Sequence, residues 1–432
     1  MAQQLTQTMA SLETTDGCED RQQPQIYAKD SLDRFGDDLC ALIVSYLSRD
    51  DRFRCECVSK QFQRTVFLTV VDITLSDRFM QKLLTNAKTI DTKMLATIAI
   101  KFANIQTIDC RGIDFEYEEH IPVVLAIFRD NCLHLREIHC NLWQNSGQTM
   151  PTIGPLVTRI NVMDNNMDTQ SLSHCHRLSH LSVRHLSQVF DTSGQLMAKN
   201  LNTFELYFYS NDDYHRLSAF VAHNQSLKCL FVKCCKLFTH DTMTGLSAQL
   251  SRLTQLRELT LGCVIMGIHH SLDSWRTIGI HCQQLQRLAL DCYKSNLKSL
   301  DSLPYYRRLK RLRLRIYADI DEIVLDPLRH CQRLTHLDIF LVPMRAKAVE
   351  IVSNNCPQLQ YLYIHSLMDA ESLSHLSRLP ALQMLVIKPN VFTDLSDNDF
   401  LDLLSRSPKL KTIKIIQYNS ATFYFHNKPF IN

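Results

Sequence analysis

The chain has 432 residues, 45% hydrophobic and 21% charged, the balance of a folded protein rather than a disordered one. A formal charge of +3 is too small to argue for nucleic acid or an anionic membrane surface, and neither is expected as a partner. No run approaches the roughly 20 apolar residues that cross a bilayer, and Met1-Ala2-Gln3-Gln4-Leu5 lacks the blocks of a signal peptide. A cytoplasmic protein is therefore expected, with nuclear residence as the alternative.

Residues 1–28 are rich in Gln, Thr, Asp and Glu and poor in large apolar side chains. Such a segment cannot offset its ordering entropy by burial, so a disordered tail is expected. Residues 31–67 change character. Leu39, Leu42, Ile43, Tyr46 and Leu47 fall at helical spacing and share one face. Ser48 stands three residues before Asp51, which predicts a capped second helix carrying Phe53, Cys55, Cys57 and Val58. A third helical turn succeeds it over Lys60-Gln61-Phe62-Gln63-Arg64. Three short helices of this size make a marginal core alone and would gain stability by docking on a partner or on the rest of the chain.

From Val70 the chain repeats L-x-x-L-x-L, where the marked positions are Leu, Ile, Val, Phe or Cys. Clear copies begin at Leu256, Leu285, Leu309 and Leu334. Looser ones begin at Val70, Ile105, Leu135, Val157, Leu178, Leu201, Leu227, Leu359, Leu382 and Leu410. A short strand and a return segment alternate at this period, the pattern of a leucine-rich-repeat solenoid of about 13–14 units over residues 68–416. The predicted fold class is α/β: a curved parallel sheet on one side and helices on the other. Helical returns are predicted over Thr242–Leu250, Ser271–Cys282, Arg345–Asn354 and Ser396–Ser405. Residues 417–432, with Phe423, Tyr424, Phe425 and Phe430, leave the pattern and are expected to cap the last strand, or alternatively to plug the open sheet face.

The 16 Cys keep the same phase. Cys132, Cys175, Cys282, Cys331 and Cys356 each lie three residues before the first apolar position of a unit, and Cys234, Cys263 and Cys292 lie seven after it. A ladder of small, buried, unpaired thiols is the expectation, not a disulfide framework.

The stretch Phe35-Gly36-Asp37-Asp38-Leu39-Cys40-Ala41-Leu42-Ile43-Val44-Ser45-Tyr46-Leu47, succeeded by Asp51 to Phe62, resembles an F-box, and its place before the repeats is that of F-box leucine-rich-repeat proteins. Gly36, Arg52 and Phe62 stand where that family commonly has Pro, an apolar residue and Trp. The resemblance implies that Phe35, Asp38, Leu39, Ile43, Leu47, Val58 and Phe62 dock on a Skp-type adaptor. Through it they would join a cullin–RING scaffold of an SCF ubiquitin ligase, while the repeats hold a target protein for ubiquitination. The chain would then be a non-catalytic substrate receptor with no cofactor. The rival is a repeat scaffold whose helical cap is not coupled to a ligase.

Side chains alternate along a strand, so the residues between the apolar positions face outward. Among them Arg311, Arg313 and Arg315 form a row, with the aromatic positions Phe340, Tyr361 and Tyr363 beside it. Arg and Tyr are frequent carriers of interface energy, and an Arg row suits an acidic or phosphorylated segment of a target. The alternative is that Asp338 and Asp291, on the flanking strands, pair with Arg313 and Arg315. His174-Cys175-His176 with His180 lacks a second pair at zinc spacing, so no metal is expected. No phosphate loop or nucleophile constellation suggests a catalytic residue.

Overall fold

A computed structural model of the chain describes residues 36–47, 51, 54–85, 89–102, 104–142, 146–162, 169–209, 214–235, 240–262, 272–292, 294–317, 322–367, 370–389, 395–416 and 422–426. The expected tail 1–28, Phe35 and the Ser48 capping position lie outside these residues. The chain divides into two compact units, residues 1–178 and 179–432.

In the first unit, helix α1 (Asp37–Tyr46) starts without a side-chain cap; the Gly36 carbonyl accepts from the Leu39 and Cys40 amides at 3.1 and 3.2 Å. Helix α2 (Lys60–Leu68) is capped by Ser59, whose hydroxyl accepts from the Phe62 amide at 3.1 Å. Between them, in the expected second helix, Asp51 and Arg54 are helical and Cys55–Cys57 form a tight 3-10 turn. Ser59 is extended to cap α2, which separates α2 from that turn. The α2 face carrying Phe62, Val66 and Phe67 is buried, and Phe67 meets Phe102 edge to face at 5.0 Å. The Leu68 carbonyl also accepts from the Asn104 side chain at 3.0 Å, so α2 is tied to the first repeats.

Those repeats supply strands β1 (Asp72–Thr74), β2 (Thr107–Asp109), β3 (Glu137–Asn141) and β4 (Val157–Val162), paired in parallel in chain order. Their returns include helices α3 (Asp77–Leu83), α4 (Thr92–Lys101), α5 (Ile121–Asn131) and α6 (Ser146–Ile153). One unit departs from the sequence phase. Ile138 pairs with Val157, a bulge intervenes, and Cys140 pairs with Ile160. The Val157 repeat is thus shifted by two residues against β3, with Thr158 buried at the bulge. The cause is local: α6 runs through the turn Gly154–Leu156 directly into β4, leaving no lead-in segment.

The second unit continues with β5 (His180–His185), β6 (Thr203–Tyr209), β7 (Cys229–Cys235), β8 (Glu258–Leu261), β9 (Arg287–Cys292), β10 (Arg311–Ile316), β11 (His336–Met344), β12 (Tyr361–Leu367), β13 (Met384–Pro389) and β14 (Thr412–Ile416). Each pairs in parallel with the next. Strand β15 (Thr422–His426) pairs antiparallel with β14, from Thr412 opposite His426 to Ile416 opposite Thr422. The helical returns are α7 (Tyr214–His223), α8 (His240–Leu250), α9 (Leu272–His281), α10 (Ala346–Asn355), α11 (Ala370–Leu376) and α12 (Asp397–Arg406). The four helices predicted from sequence are α8, α9, α10 and α12, each displaced at its ends by no more than two residues. Ser396 caps α12 in a capping box with Asp399.

The chain is an α/β leucine-rich-repeat solenoid. All three apolar positions of every unit from Leu201 to Leu410 are buried. Each fully buried Leu contributes about 1.5–3 kcal/mol. The Cys ladder has a structural reason beyond size. The Cys132 thiol donates to the Ala99 carbonyl at 3.5 Å and the Cys282 thiol to the Leu250 carbonyl at 3.4 Å, so each satisfies the end of the preceding unit's helix. Where the Leu227 unit has Asn224 instead, the amide donates both to the Phe220 carbonyl of its own helix and to the Ala198 carbonyl of the preceding unit's loop. Cys132, Cys175, Cys282, Cys331 and Cys356 are buried free thiols. Burial pushes the last four up to about 12.

Candidate functional site

Two surfaces gather the residues singled out by sequence. The first is α1. Cys40 and Val44 are fully buried, whereas Leu39 and Ile43 are exposed, Leu42 is 52% exposed and Tyr46 82%. The amphipathic helix therefore keeps a narrow strip for its own core and turns an apolar face outward. Scattered exposed apolar residues are ordinary, but four on one helix face form a patch. Asp38 is exposed at the start of this helix, Leu47 is half-buried at its end, and Val58 is 51% exposed beyond it. Phe62 is different. At 3% exposure it faces into the core of the first unit, so it can support such a surface but not touch a partner. Its aromatic ring drives α2 inward because Ser59 fixes where that helix begins.

The second surface is the outward face of β7 to β12 in the second unit. Here the sheet forms a groove of about 810 Å³ lined by Lys233, Arg287, Arg311, Arg313, Arg315 and Tyr361, among others. The register places Arg313 beside Asp338 and Ala289, and Arg315 beside Phe340 and Asp291. Adjacent register does not make the expected ion pairs. The Asp338 carboxylate is 3.2 Å from the His365 ring instead. Two further carboxylates are also engaged: Glu258 holds Arg287 at 2.8 Å, and Glu205 holds Lys233 at 2.8 Å. Among the described residues, no carboxylate lies within 4 Å of Arg311, Arg313 or Arg315. The Arg313 Nε is buried with no hydrogen-bond partner there. Asp291 answers to burial first, which raises its carboxyl against the attraction of Arg315 and Arg313. His336 is lowered by burial and by Arg311 and Arg287, so it adds no charge near neutral pH.

Aromatic rings continue the groove past β10. His336 stacks on Tyr361 at 5.6 Å, Tyr363 on His365 at 4.1 Å, and Phe340 meets both His365 and Tyr317, at 5.5 and 5.2 Å. Arg311, Arg313, Arg315 and Tyr361 line the groove together, while Phe340 and Tyr363 sit in this aromatic cluster beside it. The sequence pattern turns Lys233 and Arg287 outward but does not single out these two, or Tyr317, as binding residues. All three were reachable, because Tyr317 continues the alternation of Arg311, Arg313 and Arg315, and the others hold the matching outward position on β7 and β9.

Elsewhere the His174-Cys175-His176 stretch offers no ligand thiol, since Cys175 is buried and its thiol donates to the Ser171 carbonyl at 3.8 Å. The described residues contain no cluster of three His, Cys, Asp or Glu arranged to hold a metal ion. No helix among them is long and apolar enough to cross a membrane.

No protein-family model matches the chain, and no curated protein matches it. Among solved structures it is similar to a chain of the yeast Rad7 and Elc1 complex, at 16% identity and a TM-score of 0.44, over 83% of this chain and 90% of that one. It is also similar to the leucine-rich repeat-containing protein LegL7 from Legionella pneumophila, at 14% identity and a TM-score of 0.35, over 82% of this chain and 92% of that one.

Proposed function

We propose that this chain is a non-catalytic adaptor: α1 and the turn after it dock on a Skp-type adaptor of a cullin–RING ubiquitin ligase, and the repeats hold a target protein. The observation that carries the reading is the outward apolar face of α1, with Leu39, Leu42, Ile43 and Tyr46 exposed on a helix whose other face is packed. That segment is also the one whose sequence resembles an F-box. The docking set is Asp38, Leu39, Ile43, Leu47 and Val58, with Phe35 preceding the described residues and Phe62 fixing α2 beneath. The chain's contribution to ubiquitination would be effective concentration, because holding a target beside the charged conjugating enzyme turns a bimolecular encounter into a nearly intramolecular one.

The test is co-purification of the full chain with the adaptor. Wild type should retain it, and Leu39→Asp with Ile43→Asp should lose it while the repeats melt at an unchanged temperature. The two residues are 40% and 37% exposed, so a fall in that temperature would mark lost folding rather than lost docking. No retention by the wild type would leave the rival reading, a leucine-rich-repeat interaction scaffold without ligase coupling.

A further inference from the structure

We propose that the groove over β7 to β12 binds an extended phosphopeptide, with the phosphate held by Arg311, Arg313 and Arg315 and an apolar residue about three positions away seated on Tyr361 and Tyr363.

The first support is charge. Five basic side chains line the groove, and the two that have carboxylate partners are Lys233 and Arg287. The three on β10 have no carboxylate within 4 Å among the described residues, with Asp291 attracting Arg315 and Arg313 from farther off, and the buried Arg313 Nε has no acceptor there. Three neighbouring guanidinium groups repel one another until an anion arrives. A phosphate dianion offers several acceptors at one point and suits the planar guanidinium fork.

The second support is layout, which favours one phosphate over a run of carboxylates. Matching three Arg with three carboxylates would require a peptide lying lengthwise along β10, at intervals of about 7 Å. Of the aromatic rings in the cluster, Tyr317 extends that line at its far end. Phe340, Tyr361 and Tyr363 lie across it, on β11 and β12. Adjacent strands are about 4.8 Å apart, so β12 is roughly 10 Å from β10. An extended peptide covers that distance in about three residues. A phosphate at β10 and an apolar side chain at Tyr361 and Tyr363 therefore belong to one short segment running across the strands.

This inference rests on the reading of the chain as a binding module, but its test is independent of α1. Fluorescence anisotropy would be recorded for the full chain with labelled nine-residue peptides. Each carries one phosphoserine, with a leucine either three positions or one position away on either side. The phosphorylated form should bind at least about tenfold more tightly than the unphosphorylated one, as expected for charge-assisted hydrogen bonds. Leucine at three positions on one side should improve on leucine at one. Arg311→Gln, at an exposed side chain, should weaken binding about tenfold, and the triple Gln variant of Arg311, Arg313 and Arg315 about a hundredfold. A control triple at Arg252, Arg308 and Arg333, on turns outside the groove, should bind as wild type does. Tyr361→Ser with Tyr363→Ser should erase the preference for leucine position while keeping the preference for phosphate. Equal binding of phosphorylated and unphosphorylated peptides would overturn the proposal. So would equal binding of a peptide with glutamates in place of the phosphoserine, or an unchanged affinity in the triple Gln variant. Adaptor co-purification would be unaffected by any of these results, so either reading can fail alone.

Discussion

Asn224 gives the sharpest test of how the units are joined. Its side chain is fully buried at the point where five other units have Cys. The Leu201 amide donates to its Oδ1 at 2.9 Å, and its Nδ2 donates to the Ala198 carbonyl at 3.2 Å and the Phe220 carbonyl at 2.9 Å. One side chain thus joins the end of α7 to the loop that leads into β6. Asn224→Ala would strand three buried backbone groups. Each orphaned group costs about 1–3 kcal/mol, so the interface between these units should weaken by roughly 3–9 kcal/mol, less whatever an incoming water recovers. Asn224→Cys should cost less, because a thiol can still donate to one helix-end carbonyl, as Cys282 does to Leu250. Repeat arrays lose stability locally through nearest-neighbour terms, so a single melting temperature is a poor readout. Hydrogen exchange resolved to peptides covering β5 to β7 is the suitable assay. The Leu201 amide should lose its protection first, by a factor of about 100 or more in Asn224→Ala. Protection at Leu201 unchanged within about threefold, or Cys as damaging as Ala, would refute the bridging role.

Two further outcomes can be checked. Burial alone would raise Asp109, but hydrogen bonds from Arg111, at 2.7 and 3.0 Å from its side chain and 3.1 Å from its amide, outweigh that and hold the carboxyl below its ordinary range. A depressed folded pKa means stability that is present above the unfolded value of about 4 and is lost as pH falls through the lower folded value. Urea denaturation monitored on peptides of β2 and β3 should therefore lose on the order of 1 kcal/mol below about pH 4. Arg111→Met should lose that amount at pH 7 and little more at pH 2; an acid slope that survives the substitution would contradict the assignment. Thiol labelling at pH 8 should spare Cys282, Cys331 and Cys356, which are buried and raised to about 12, while the exposed Cys57 reacts. Labelling of those three at a comparable rate, read by mass spectrometry of digested protein, would show that the units open far more freely than their packing implies.

What the residue order alone determined is the repeating part. A Leu at the first, fourth and sixth place of a unit buries itself whatever the neighbouring unit contains, so the strands and the phase of the Cys could be read locally. The amphipathic pattern of α1 was equally legible, since helical spacing depends on nothing outside the helix. Tertiary structure decided the matters that depend on competition between neighbours. Asp338 stands beside Arg313 in register yet turns to His365, which left the Arg row with no carboxylate within 4 Å among the described residues. Phe62 is core, not surface, because the Ser59 cap sets the rotation of α2. The Val157 unit slipped by two residues because its return ran out of chain before the strand began. In each case local pattern named the residues, and packing between units chose among partners that the pattern made equally close.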